Sequence, residues 1–167
     1  MQEERILRGR NVALASVFAA LYAVLVFAFA GLSFQLVQMR VADALIPISI
    51  LFGWPAVLGV TFGCAVANLV TPMPSVITDV ILGSAANFFA SLLAWKVAIR
   101  IRGKIGELVG CLVATAIVTF VVGSYLALIT DLDFWMWWLG IGAGSILSVT
   151  LVGYLLVQGL RRAGVKT

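Results

Sequence analysis

Four long, predominantly apolar stretches, 11–30, 76–99, 107–130 and 134–160, dominate this chain, with only short polar breaks between them. About 20 consecutive apolar residues suffice for a helix to cross the hydrocarbon core, so each stretch is long enough to span a bilayer. Only 11% of the residues are charged, against about 25% in a soluble domain. With 63% hydrophobic residues, the chain has too little polar surface to cover itself in water. The expectation is an all-α integral membrane protein in the cell membrane, a single transmembrane domain over 1–167 with no soluble catalytic part.

The opening residues "MQEERILRGR" are basic and precede an apolar run, as in a signal peptide. The run 11–30 is as long as a full span and carries no A-x-A cleavage site, so it is read as a retained first helix. The net charge of +4 does not call for nucleic acid, because the basic residues cluster at the ends of apolar segments, where the positive-inside effect places them. Cys64 and Cys111 both fall inside apolar segments and read as small hydrophobes. With no histidine in the chain, no metal site and no cofactor is expected.

Segment 44–70 is interrupted by Gly53, Trp54 and Pro55 and reads as one kinked helix or two short ones. Ten of the eleven basic residues lie in three clusters: Arg5, Arg8 and Arg10; Lys96, Arg100, Arg102 and Lys104; Arg161, Arg162 and Lys166. If all three are cytoplasmic, an even number of crossings separates each pair. That requires two helices within 37–70. The expected helices are 11–30, 37–52, 55–70, 76–99, 107–130 and 134–160, six spans with both termini inside. The outer loops are then 31–37, 71–77 and 130–134, the last with Asp131 and Asp133 and no basic residue. Trp135, Trp137 and Trp138 fall at the outer interface and Trp54 and Trp95 near the inner one. They read as interfacial anchors, with closure of an outer site by the 135–138 cluster as the alternative.

Ala15, Ala19 and Ala23 form a small-residue stripe, and Gly59/Gly63 and Gly140/Gly144 are GxxxG pairs. Such spacing lets helix backbones approach closely, either inside the protein or against a partner subunit.

A charge at the centre of a membrane helix costs about 2.5–3.5 kcal/mol on insertion scales, so such residues are functional candidates. Outside the basic clusters and solvated ends stand Arg40, Asp43 and Asp79. Arg40 and Asp43, three apart, share a helix face. Gln35 and Gln38 precede them, Asn68 ends the third helix, and Asp79, Gly83 and Asn87 form one stripe on the fourth. Gly83 leaves a gap in that stripe for a flat ligand or a backbone. The plain reading is that Arg40 and Asp43 neutralise each other and Asp79 caps its helix. Taken together on the outer side, the set suits a small polar heteroaromatic ligand: carboxylates accept N–H donors, an arginine donates to carbonyls, and amides do both.

Enzyme chemistry has little to stand on. There is no G-x-x-x-x-G-K-[ST] nucleotide loop, no HExxH, no histidine for a Ser-His pair, and no GxGD around either aspartate.

"QMRVADAL…P", followed by "GCAVANL" and "DVILGSAANFFAS", resembles the QueT family, substrate-binding (S) components of energy-coupling-factor (ECF) transporters. Members typically read Q-x-R-x-S-E-A-L, G-C-x-x-A-N and D-[IV]-x-x-G-[ST]-x-A-[TN]. The matching positions are Gln38, Arg40, Ala44, Leu45, Gly63, Cys64, Ala67, Asn68, Asp79, Gly83 and Ser84. Ala42 stands where the family has serine, and Asp43 where it has the longer glutamate. The resemblance implies six helices with an outward-facing pocket. It also implies partnership with an EcfT-type transmembrane coupling subunit and two ABC ATPases, and a 7-deazaguanine ligand such as preQ0, preQ1 or queuine. It implies a docking role for the Ala15, Ala19 and Ala23 stripe. Expected ligand contacts are Gln38, Arg40, Asp43, Asn68, Asp79, Gly83 and Asn87. The alternatives are an S component for another vitamin or nucleobase, or a stand-alone secondary transporter using Asp43 or Asp79 as an ion or proton site.

Overall fold

The computed structural model describes residues 2–33 and 39–165 and is helical throughout its ordered elements. We label the helices α1 (Gln2–Ala28), α2 (Val41–Phe52), α3 (Trp54–Asn68), α4 (Val76–Ile101), α5 (Gly103–Thr130) and α6 (Phe134–Arg162). A short helical turn, Ala30–Ser33, follows α1. Among the described residues, four helices are long and apolar enough to cross a membrane: α1 over Arg8–Ala28, α4, α5 and α6. α2 and α3 are apolar but shorter. The molecule is inside-out by aqueous standards, with Val12, Phe62, Ile77, Ile105, Leu128 and Leu139 more than 60% exposed. Such a surface is stable facing lipid and costly facing water.

The sequence pattern places the start of α2 near residue 37, which lies outside the described residues; among those described, the helix begins at Val41. Its first eight residues wind as a 3-10 helix around Pro47. Proline has no N–H to donate and its ring crowds the preceding turn. The tighter winding rises ~2.0 Å per residue, which stretches twelve residues to roughly 22 Å. α6 is irregular in the opposite sense, widening to π geometry over Ile146–Gly153. The two irregular stretches pack on each other, and a Cβ at Gly153 would lie 2.8 Å from Pro47 Cγ and 3.1 Å from the Ala44 carbonyl oxygen.

Gly53 divides α2 from α3 at φ +59°, a conformation that strains L side chains, and Pro55 opens α3 where its missing N–H costs nothing. Close backbone contact organises the rest. Cβ atoms at Gly59 and Gly63 would come within 2.7 Å of the Ala15 and Ala19 carbonyl oxygens, so α3 lies directly on α1. On α4, Ala86, Ala90, Ala94 and Ala98 form a buried stripe, and Gly110 of α5 approaches the Ala94 carbonyl to the same degree. Packing of this kind, without a hydrophobic drive between helices in lipid, is what holds membrane bundles together.

Candidate ligand-binding site

α2 enters the bundle through Arg40, whose extended backbone (φ −78°, ψ 97°) precedes the first turn. Three residues on, Asp43 is buried in that turn. The Tyr22 hydroxyl of α1 donates to Asp43 Oδ1 at 2.5 Å, and Asn87 Nδ2 of α4 donates to the Tyr22 oxygen at 2.9 Å. One tyrosine thus ties α1, α2 and α4 at their polar positions. Arg40 Nη1 reaches Cys64 Sγ of α3 at 3.8 Å.

A second set joins α3, α4 and α5. Tyr125 donates to Asp79 Oδ1 at 2.5 Å, and Asn68 Nδ2 donates to the Asp79 backbone oxygen at 2.9 Å. Asn68 Nδ2 also meets Cys64 Sγ at 3.6 Å, so Cys64 is a shared acceptor between the two sets. Cys64 is fully buried, as expected of a small hydrophobe, yet it works here through its sulfur. Asn68 and Asp79 are each no more than 1% exposed, and Asn68 Oδ1 and Asp79 Oδ2 have no hydrogen-bond partner among the described residues. Buried polar atoms are nearly always paired, so these two acceptors are open to donors from outside the described residues.

The cap of α4 is Ser75, whose side chain accepts from the Thr78 N–H; Asp79 sits a turn deeper and does not cap. The gap at Gly83 has a protein occupant: a Cβ there would fall 2.5 Å from Asn68 Nδ2 and 3.3 Å from the Tyr125 hydroxyl. Gly83 therefore admits the Asn68 amide to the cluster. Gln35 and Gln38 lie outside the described residues. Arg40, Asp43 and Asn87 line a cavity of about 10 Å³ with Val118, Val122, Ile141 and Ser145. That is space on the scale of a single water.

Ala15 and Ala19 are half-buried and Ala23 is buried, with the first two turned toward Gly59 and Gly63 of α3. Ala13, Ser16 and Ala20, on the same helix, are exposed. The tryptophans at the start of α6 also divide. Trp135 is 70% exposed, but Trp137 is a core residue, 3% exposed, whose Nε1 donates to Thr130 Oγ1 at 2.8 Å.

Sequence reasoning missed Tyr22 and Tyr125, which read as ordinary aromatics in apolar runs, and it passed over Glu107. That carboxylate, 3% exposed, pairs with Arg161 and accepts from Gln158 at the opposite end of the bundle. A larger cavity of about 600 Å³ lies there, lined by Leu51, Gly53, Trp95, Arg102, Glu107 and Arg161 among others. Its polar groups are already paired with each other or exposed, unlike those around Asp79.

No curated protein and no solved structure matches this chain. A family model for the QueT transporter matches residues 12–162, a range that holds both halves of the polar cluster, most of α1 and all of the later helices. The chain is a membrane protein and belongs to the QueT transporter family.

Proposed function

We propose that the chain is the substrate-binding component of an ECF-type importer and takes a queuosine precursor of the 7-deazaguanine class from outside the cell. The observation that carries this reading is the convergence of Arg40, Asp43, Asn68, Asp79 and Asn87, from three separated parts of the sequence, on one buried cluster at one end of the bundle. Arg40, Asn68 and Asp79 are also positions where the chain matches the family pattern, and Asp43 stands where the family has glutamate. The donors and acceptors suit a flat heterobicycle with both carbonyl and N–H edges.

The chain crosses the membrane six times with both termini inside. Gly53, the turn between α2 and α3, shares a cavity with Arg102 and Arg161, which supports two short crossings that meet at the basic end. Asp131 and Asp133 lie between α5 and α6 at the other end, which supports an outward-facing ligand site. An EcfT-type coupling subunit docks against α1. Because Ala15 and Ala19 face α3, docking uses the exposed side of that helix, with Ala13, Ser16 and Ala20. Two ABC ATPases complete the importer.

The test is a thermal melt of the purified chain in detergent. A ligand at 100 times its Kd stabilises by about 2.7 kcal/mol, so a clear rise in Tm with 7-deazaguanine is expected. A rise with another vitamin and none with 7-deazaguanines would move the chain to a different substrate. Uptake into liposomes by the chain alone, driven by a proton or sodium gradient, would replace the importer reading with secondary transport.

A further inference from the structure

Asn68 and Asp79 can be accounted for atom by atom. The Asn68 amide has two N–H bonds, and both are used: one to the Asp79 backbone oxygen at 2.9 Å, one to Cys64 Sγ at 3.6 Å. The acceptor on the first of these is a carbonyl, so the amide cannot be turned over without losing the bond. Its oxygen Oδ1 is therefore left as an acceptor only. Asp79 Oδ1 accepts the hydrogen bond of the Tyr125 hydroxyl, which leaves Oδ2, again an acceptor. Both oxygens are buried, and neither meets a donor among the described residues. The two groups are brought together at Gly83, whose hydrogen admits the Asn68 amide beside the Asp79 carboxylate.

We propose that Asn68 Oδ1 and Asp79 Oδ2 form the specificity-determining contact of the site, and that they read an edge of the ligand carrying two neighbouring N–H groups. This rests on the ligand-binding reading given above and adds a direction to it. The side chain of Asn68 does not read a ligand carbonyl, because its donors are spent inside the protein. A 2-amino-6-oxo bicycle presents such an edge through its exocyclic amine and ring N–H. The same bicycle without the amine presents only one N–H, and leaves one buried acceptor bare. Sites that hydrogen-bond a substrate group reject analogues lacking it far more strongly than apolar pockets reject a missing methylene.

The test titrates the full-length wild-type protein in detergent with 7-deazaguanine and, separately, 7-deazahypoxanthine, which lacks the 2-amino group. The expected result is affinity at least about 100-fold weaker for the second. Asp79→Asn supplies a donor from the protein itself and removes the carboxylate. It should raise the melting temperature of the ligand-free protein while narrowing the difference between the two ligands to under about tenfold. Equal wild-type affinity for both bicycles overturns this inference and leaves the ligand reading intact. Binding of neither overturns both. A rise in melting temperature with sodium chloride over choline chloride, abolished by Asp79→Asn, would make the two oxygens a cation site and also overturn the inference.

Discussion

At the scale of single residues, the candidate site is a set of carboxylates and amides held by two tyrosines. Tyr125→Phe keeps the ring and removes the hydroxyl that donates to Asp79 Oδ1, leaving both carboxylate oxygens without a donor among the described residues. Stranding a buried polar group costs about 1–3 kcal/mol, and the loss should appear as a lower Tm in detergent. Tyr22→Phe should cost more than Tyr125→Phe, because the Tyr22 hydroxyl serves both Asp43 and Asn87. Equal melting of wild type and both variants would mean that the hydroxyls do not hold the acids. The acids and amides themselves were legible in the sequence, since a charge within apolar surroundings stands out by composition alone. The tyrosines were not, because Tyr22 meets Asn87 across 65 residues and Tyr125 meets Asp79 across 46. Glu107 was hidden differently: three residues past Lys104, it reads as the solvated end of a basic loop, yet α5 turns it inward.

At the scale of elements, contact between α1 and α3 positions Tyr22, and two glycines make that contact possible. A Cβ at Gly63 would stand 2.7 Å from both the Ala19 carbonyl oxygen and Tyr22 Cβ. Neither is the far end of a flexible side chain, so the helices must separate. Gly63→Ala should cost about 1–3 kcal/mol, as overpacking does, and should weaken ligand binding by shifting Tyr22. Gly159→Ala, where nothing lies within 4 Å, should leave binding unchanged and gain a few tenths to ~1 kcal/mol from helix propensity. If both variants behave alike, the α1–α3 contact does not position the site. The Gly59/Gly63 spacing announced close packing from the sequence, but it did not say against what: the alanine stripe read for a partner has α3 on it. The winding of α2 and α6 was less legible still. Pro47 gives a reason for the 3-10 stretch, whereas "ILSVTLVG" carries no local signal that it widens, and I-L-V composition suits either helix equally.

At the scale of the whole molecule, charge separates the two ends of the bundle. Lys96, Arg100, Arg102 and Lys104 surround the junction of α4 and α5, with Arg161 and Arg162 closing α6 at the same end. At the other end Asp131, in a left-handed conformation that stops α5, and Asp133 separate α5 from α6. Orientation follows basic residues near helix ends, so the proposed orientation puts the end with Arg102 in the cytoplasm and the polar cluster outside. This ordering can be checked by cysteine labelling, because both native cysteines, Cys64 and Cys111, are buried and give little background. Asp133→Cys should react with a membrane-impermeant maleimide on intact cells. Lys104→Cys, also at an exposed position, should react only after the membrane is opened. The opposite pattern would invert the protein and turn the Asp79 cluster toward the cytoplasm. Import could not then begin at that cluster. Reaction of both on intact cells would break the link between charge and side, and with it the even number of crossings on which the proposal of two separate spans for α2 and α3 rests.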